Sequence, residues 1–192
     1  MARWVERILL ATGVAALGYA AWAVIEARVV QRSESAAFDS ALARKLPPPA
    51  GVIGRLEIPR VGISVLVLEG DDPDILSVAA GHIPGTSLPG EPGNTAIAAH
   101  RDSFFRPLRH IRRGDAIRLV TTRKTYTYLV DSISIVPPAD VGVLGDSHAT
   151  ELTLVTCYPF YYIGSAPQRF IVQARPEAAP ALTRAAPAGH SG

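Results

Sequence analysis

From residue 51 onward, apolar and polar residues alternate in short runs that are separated by Gly, Pro and Asp. Runs of this kind, rich in Val, Ile, Leu and Thr, are typical of β-strands. One stretch differs, because DDPDILSVAAGH (71–82) has an Asp cap, a proline in the first turn and apolar spacing that predict a short helix. The predicted strands are 51–59, 61–70, 95–100, 116–122, 124–136, 150–157 and 169–174.

These elements predict an all-β fold with short helices in the connections. Seven or eight short strands favour a closed or nearly closed β-barrel. A sandwich of two sheets is built from similar strands. The strand count alone therefore leaves the barrel and the sandwich open.

A different pattern occupies the N-terminal part of the chain. Residues 8–25, ILLATGVAALGYAAWAVI, carry no charge. About 17–25 apolar residues are needed to cross a bilayer, so this run predicts a transmembrane signal anchor. Arg3 and Arg7 precede it, which favours a cytoplasmic start at 1–7 and an extracytoplasmic C-terminal domain.

A cleaved signal peptide is the alternative, because small residues near Ala20 and Ala23 are typical of a processing site. Under either interpretation the rest of the chain works outside the cytoplasmic membrane. The domain organisation that we predict beyond the anchor is a juxtamembrane stalk and Pro-rich linker at 26–50, a folded domain at 51–175 and a disordered tail at 176–192.

Composition limits the classes of partner. Apolar residues make up 48% of the chain, which is enough for a core. The net charge is only +2 and the basic residues are dispersed, so a nucleic-acid-binding surface is not predicted.

The only cysteine, Cys157, lies in TLVTCYPF, where a predicted strand gives way to a Tyr-Pro turn. A single thiol cannot form an internal disulfide, and a lone Cys in an apolar run is commonly a packed core residue. Here, however, Cys157 ends its strand instead of lying inside it. A half-exposed position of this kind is where reactive cysteines are found.

A nucleophilic thiol needs a proton partner, and the chain has five histidines. His190 lies in the predicted tail, His110 in a basic turn and His148 in a loop. His82 and His100 remain. Because His100 ends a predicted strand, as Cys157 does, it is the leading partner.

Arg169 opens the strand that follows the cysteine loop, twelve residues beyond Cys157. If this loop closes as a hairpin, Cys157 and Arg169 lie on adjacent strand ends. A guanidinium there would favour the thiolate and stabilise an oxyanion without giving up its own proton.

The segment 153–157, TLVTC, matches the motif Thr-Leu-X-Thr-Cys of the sortase family. Together with AIAAHRD upstream and an Arg twelve residues downstream, it resembles that family. The strings GHIPGTSLPGEPGN, HRDSFFRPLRHI and TCYPFYYIGSAPQRFIV are most similar to class D sortases. The resemblance covers 51–175 and implies a membrane-anchored, extracytoplasmic enzyme with an eight-stranded β-barrel.

The resemblance also implies a reaction. Cys157 would attack the Thr–Gly carbonyl of a Leu-Pro-X-Thr-Gly-like signal on a surface protein and form a thioester. His100 would protonate the departing amine and deprotonate the incoming one, and Arg169 would bind the signal and stabilise the oxyanion. The amine acceptor would be a peptidoglycan stem peptide or a protein lysine, with hydrolysis as the side reaction.

Further residues are assigned secondary roles. Thr156 is expected to face the substrate groove or to orient the thiol. Tyr158 and Phe160 would wall the groove around the Leu and Pro of the signal, or would pack the loop. His82 matches a position in the resembling strings and is predicted to contact substrate.

Asp102 follows His100 by two residues and would either orient its imidazole or cap the helical turn near Ser103. No cofactor or metal is predicted. Some sortases bind calcium, but the acidic cluster that includes Asp72 and Asp74 precedes a predicted helix, and the proline there favours a capping role. A catalytically silent barrel that binds an extended peptide is the alternative function.

Overall fold

The computed structural model describes residues 2–44, 46–140, 142, 145, 149–162 and 164–177. A long helix is followed, within these residues, by eight strands and three short helices. The helices are α1 (Ala2–Arg44), α2 (Pro73–Val78) and the 3-10 helices Pro59–Val61 and Arg106–His110. The strands are β1 (Val52–Ile58), β2 (Ile63–Glu69), β3 (Ala80–His82), β4 (Asn94–Ala98), β5 (Ala116–Val120), β6 (Thr125–Val136), β7 (Glu151–Tyr158) and β8 (Gln168–Pro176).

The eight strands form a closed barrel in the order β1-β2-β3-β4-β7-β8-β6-β5. The predicted all-β barrel is thereby confirmed over the two-sheet sandwich. Two neighbouring pairs, β2 with β3 and β4 with β7, are parallel, and the others are antiparallel. Because β7 lies between β4 and β8, the strand that carries Cys157 is paired on both edges.

One strand was not predicted. The segment AGH, expected to end the helix at 71–82, forms β3 and pairs with β2 in parallel, Val67 opposite Ala80. The helix stops at Val78 because Ala79 is extended, with φ −149° and ψ 179°. Its start is as predicted, since the side chain of Asp72 accepts hydrogen bonds from the backbone N–H groups of Asp74 and Ile75.

The core fills the barrel with inward-facing side chains. Alternation is clearest in β1, where every second residue is buried. Fully buried residues from other strands complete the core, among them Ile97, Leu119, Leu154 and Val172.

The C-terminal part of α1 packs on the outside of the barrel. Phe38 is fully buried and contacts Val52 and Leu66. Arg55 of β1 lies over the Phe38 ring at 5.4 Å and binds Asp39 at 2.7 Å. Part of the predicted stalk is therefore attached to the folded domain.

The predicted anchor, 8–25, lies inside α1, which continues without a break to Arg44. Among the residues that the structure describes, no helix is both long and apolar enough to cross a membrane. At the other end, β8 includes Pro176, and the predicted tail from residue 178 onward lies outside the described residues.

Candidate active site

The pairing of β7 brings three predicted site residues to one end of the barrel. Cys157 lies directly opposite Arg169 of β8. On the other edge, β4 and β7 run in register as far as Ala98 and Val155, and the Ala99 N–H donates to the Val155 carbonyl at 3.2 Å. His100 follows Ala99 directly, two residues beyond the end of β4, so it lies on the β4 side of β7 at the same barrel end as Cys157. The strand of Cys157 therefore has the chain of the histidine at one edge and Arg169 at the other.

Thr156 joins the two parallel chains at this point. Its hydroxyl donates to the Ala99 carbonyl at 2.7 Å, one residue before both Cys157 and His100. The Thr156 side chain is only 2% exposed. Thr156 was predicted either to face the substrate groove or to orient the thiol. Among the described residues the structure shows no contact of its hydroxyl with a groove, and the hydroxyl instead holds the strand next to the thiol in place.

The thiol of Cys157 is free and half-buried. Its strand neighbours Leu154 and Thr156 are buried, whereas Val155 is half-buried as Cys157 is. Since successive side chains in a strand point to opposite faces, Cys157 is on the outer face of the barrel wall. A bound peptide could reach the sulfur there.

Arg169 is half-buried, and its Nη1 donates to the carbonyls of Gln168 at 3.1 Å and Ala166 at 3.4 Å. Among the described residues no carboxylate pairs with it, so its charge is not neutralised within this part of the chain. The His100 side chain is exposed. Its backbone carbonyl accepts from the Phe105 N–H at 3.1 Å, which closes the turn that follows β4.

Asp102 lies exposed in this turn. In the described part of the chain its carboxylate makes neither a hydrogen bond to His100 nor a capping bond to the backbone after Ser103. The 3-10 helix that follows, Arg106–His110, has Phe105 as its N-cap residue and no side-chain capping bond.

His82 is not brought to Cys157. It pairs with Ile97, three residues before His100, and antiparallel β3 ends toward the opposite end of the barrel. The buried ring bonds to Glu69 through Nδ1 at 2.9 Å and lies 3.1 Å from the Ser87 carbonyl through Nε2. These contacts attach the loop 83–93 to the barrel.

The aromatic residues beside Cys157 pack against one another. Phe160 meets Tyr158 edge to face at 5.9 Å and Phe170 at 5.2 Å. Phe160 and Phe170 also pack against the barrel core. For Phe160 these contacts agree with the loop-packing alternative. The third ring of this aromatic cluster, Phe170, was not identified from the sequence.

A charged pair lies at the same barrel end as Cys157. Arg60, in the 3-10 helix after β1, binds the carboxylate of Asp115 just before β5, with Nη2 to Oδ2 at 2.6 Å. The hydrogen bond from Arg60 lowers the pKa of Asp115 below its ordinary value of 3.8. The same bond raises the pKa of Arg60. No local pattern in the sequence indicates this pair, because its partners lie 55 residues apart.

The three remaining histidines are not brought to the site by any described contact. His110 is exposed in the 3-10 helix, and His148 lies outside the described residues, as does His190. Within the described residues no cluster of three or more His, Cys, Asp or Glu side chains could hold a metal ion.

The fold is a closed eight-stranded barrel, and a half-buried thiol, an imidazole and a guanidinium lie on neighbouring chain ends. These features define a class of barrel proteins with a cysteine in the active site. A family model described as a Sortase domain matches residues 56–177. The chain therefore belongs to the sortase family of cysteine transpeptidases.

Individual relatives agree with this family. Sortase D of Bacillus subtilis (strain 168) is 29% identical over 194 residues, which cover 90% of this chain and 97% of the relative. Sortase A of Streptococcus agalactiae serotype III is 35% identical over 115 residues, 55% of this chain and 47% of the relative. The solved structure of a Clostridium perfringens Sortase D5 transpeptidase superposes with a TM-score of 0.64 at 25% identity, covering 78% of this chain and 97% of that one. The predicted similarity to class D sortases is confirmed.

Proposed function

We propose that the chain cleaves a Leu-Pro-X-Thr-Gly-like signal through a thioester on Cys157 and transfers the product to an amine, with hydrolysis as the side reaction. The observation that carries this proposal is the position of β7, in which Cys157 lies opposite Arg169 of β8 and beside the chain that leads from β4 through Ala99 to His100. Nucleophile, proton carrier and oxyanion donor are the three parts that acyl transfer by a cysteine needs.

In the first half-reaction the Cys157 sulfur bonds to the Thr carbonyl carbon and the Thr–Gly C–N bond breaks. The thiol proton passes to His100 and then to the departing amine nitrogen. Negative charge gathers on the carbonyl oxygen during attack. The guanidinium of Arg169 is suited to hold it, because it carries a fixed charge and several N–H donors.

In the second half-reaction an amine attacks the thioester carbonyl. The C–S bond breaks as the new C–N bond forms, His100 accepts the proton of the amine, and the sulfur recovers that proton. Water can replace the amine and gives the free acid. The transferase and hydrolase activities therefore differ only in the acceptor.

The substrate class follows from the similarity to the sortases, since family members act on signals of this type. The outer face at Cys157 supports an extended peptide lying across the ends of β4, β7 and β8. The proposed partners are surface proteins with such a signal and a peptidoglycan or protein amine.

The test is turnover of a panel of Leu-Pro-X-Thr-Gly and related peptides with a glycine or diamino-acid amine as acceptor. Wild-type protein should release the Gly-terminal fragment and yield both transfer and hydrolysis products. Cys157→Ala should yield neither. A protein that binds peptides but never cleaves them would be the silent binding barrel, and cleavage by Cys157→Ala would exclude the thiol mechanism.

We also propose that residues 8–25 hold the chain at the cell membrane, with the barrel on the extracytoplasmic side. This is supported by a run of eighteen residues without charge. It is supported further by exposed apolar side chains such as Leu9, Leu10 and Leu17, each at least 66% exposed. Apolar surface of this extent is stabilised by lipid contact.

Co-sedimentation of the full chain with lipid vesicles tests this anchor. The wild-type chain should pellet with vesicles, and a variant with Leu9, Leu10 and Leu17 changed to Ser should bind less. A matched control changes exposed Leu46 and Leu88, outside the run, to Ser and should still pellet. If the first variant and wild type sediment equally with vesicles, the proposal that residues 8–25 anchor the chain is wrong.

A further inference from the structure

The loop between β7 and β8 is tied to the segment that follows His100. Nη2 of Arg101 donates to the backbone carbonyls of Tyr162 at 2.7 Å and Gly164 at 3.0 Å. The Arg101 guanidinium also lies 5.9 Å from the centre of the Tyr162 ring. Gly164 has φ +95°, a conformation that side-chain-bearing residues rarely adopt, and it turns its carbonyl to Arg101.

A second contact strengthens the same attachment. Tyr161 is 73% exposed, yet its ring lies 5.9 Å from the Arg106 guanidinium and 5.7 Å from that of Arg109. Arginine over an aromatic face is favourable by about 0.5–1 kcal/mol at exposed sites. We name these contacts of Arg101, Arg106 and Arg109 with Tyr161 and Tyr162 the arginine–tyrosine clamp.

The clamped loop in turn holds Arg169. Nη1 of Arg169 bonds to the Ala166 carbonyl at 3.4 Å, two residues after Gly164. A continuous path therefore runs from Arg101 through the backbone at Gly164 and Ala166 to the guanidinium of Arg169. Nη1 of Arg101 is buried without a hydrogen-bond partner among the described residues, and the cost of this unpaired donor offsets part of the stability that the Nη2 bonds supply.

We propose that Arg101 is a positioning residue: it fixes the β7–β8 loop, and the loop fixes the guanidinium of Arg169 beside Cys157. This inference rests on the proposed function. Lysine can replace Arg101 only in part: both carbonyl bonds come from one nitrogen, which an ammonium can reproduce, but an ammonium lacks the planar group that lies over the Tyr162 ring.

A double-mutant cycle tests the proposal, with kcat/KM for peptide turnover as the readout. Arg101→Ala should lower kcat/KM by about 10- to 100-fold, the scale of a small misplacement of a site group. In an Arg169→Ala background the same change should cost less than about twofold, because the route through Arg169 is already absent. Arg101→Lys should recover part of the loss, and Arg113→Ala, an exposed arginine outside the clamp, should match wild type.

Hydrogen exchange of the β7–β8 loop supplies a readout that needs no activity. Exchange at residues 160–162 and 164–166 should be faster in Arg101→Ala than in wild type, with the thermal midpoint nearly unchanged. Unaltered loop exchange, or an Arg101→Ala loss that is equally large in the Arg169→Ala background, overturns the proposal. If wild-type protein turns over no peptide, the proposed function fails, and loop exchange alone then decides whether Arg101 holds the loop.

Discussion

At the scale of single residues, the Thr156 hydroxyl is the contact that joins the histidine chain to the cysteine strand. It donates to the Ala99 carbonyl in a buried position between two parallel chains. A buried carbonyl that loses its donor costs about 1–3 kcal/mol.

Thr156→Val, which keeps the shape and removes the hydroxyl, should therefore lower the free energy of unfolding by about 1–3 kcal/mol. It should also lower kcat, because His100 follows the released carbonyl by one residue. Urea unfolding and peptide turnover measure the two effects. Thr156→Ser is the control and should retain most of both, whereas a Val variant as stable and active as wild type would show that the bond is dispensable.

Arg169→Ala should lower kcat/KM by about 100-fold, or about 3 kcal/mol, the effect of removing one oxyanion donor. Steady-state turnover of the preferred peptide measures it. Arg175→Ala is the matched control, since Arg175 lies on the same strand, is 69% exposed and is far from Cys157. Equal turnover in the Arg169 and Arg175 variants would remove Arg169 from the mechanism.

The sequence predicted Cys157, His100 and Arg169 together because each was expected to end or begin a strand, and strand ends are visible in the alternation pattern. The predicted strand 95–100 was too long, since β4 ends at Ala98 and His100 lies in the turn that follows it. The roles of Thr156 and His82 could not be predicted from the sequence with the same accuracy. Their hydrogen-bond partners, Ala99 and Glu69, are selected by strand pairing, which a local pattern does not specify.

At the scale of elements, the Arg60–Asp115 pair connects the end of β1 to the start of β5. The Asp115 carboxylate also accepts from the Arg112 N–H at 2.7 Å and is almost fully buried. Because its pKa is lower in the folded chain than the ordinary 3.8, folding favours the ionised form.

The stability that Asp115 contributes is present above pH 3.8 and is lost as the pH falls below 3.8 toward the lowered folded pKa. Asp115→Asn should therefore be less stable than wild type at pH 7 and should show a shallower decline in acid. Urea unfolding between pH 7 and pH 3 measures both curves. Asp131→Asn, which removes an exposed carboxylate with ion pairs of 3.4–3.6 Å, is the control, and an identical acid decline in wild type and Asp115→Asn would contradict the assignment.

The element that the sequence missed, β3, has a physical explanation. Ala80, Gly81 and His82 are too few to show alternation, and they continue an apolar helix pattern. Only pairing with β2 and β4 makes them a strand. A Cβ on Gly81 would lie 2.1 Å from the Gly70 carbonyl oxygen, so the glycine permits this close approach.

At the scale of the whole molecule, barrel closure brings together three residues that lie between 12 and 69 positions apart in the chain. Parallel strands are not joined by hairpin turns, so turn residues in the sequence could not predict that β2 pairs with β3 or that β4 pairs with β7. Sequence similarity to the sortases supplied the topology that periodicity left open. The site then follows from β7 lying between β4 and β8.

The most direct test of this account is the intact mass of the protein after brief incubation with a cleavable signal peptide and no amine, followed by peptide mapping. The account predicts one added acyl group, equal to the peptide up to its Thr, on Cys157 in wild-type protein. Addition of an amine should remove that group as a transfer product. Acylation of any other residue, or cleavage with no adduct on Cys157 even after rapid acid quenching, would contradict a thioester at this end of the barrel.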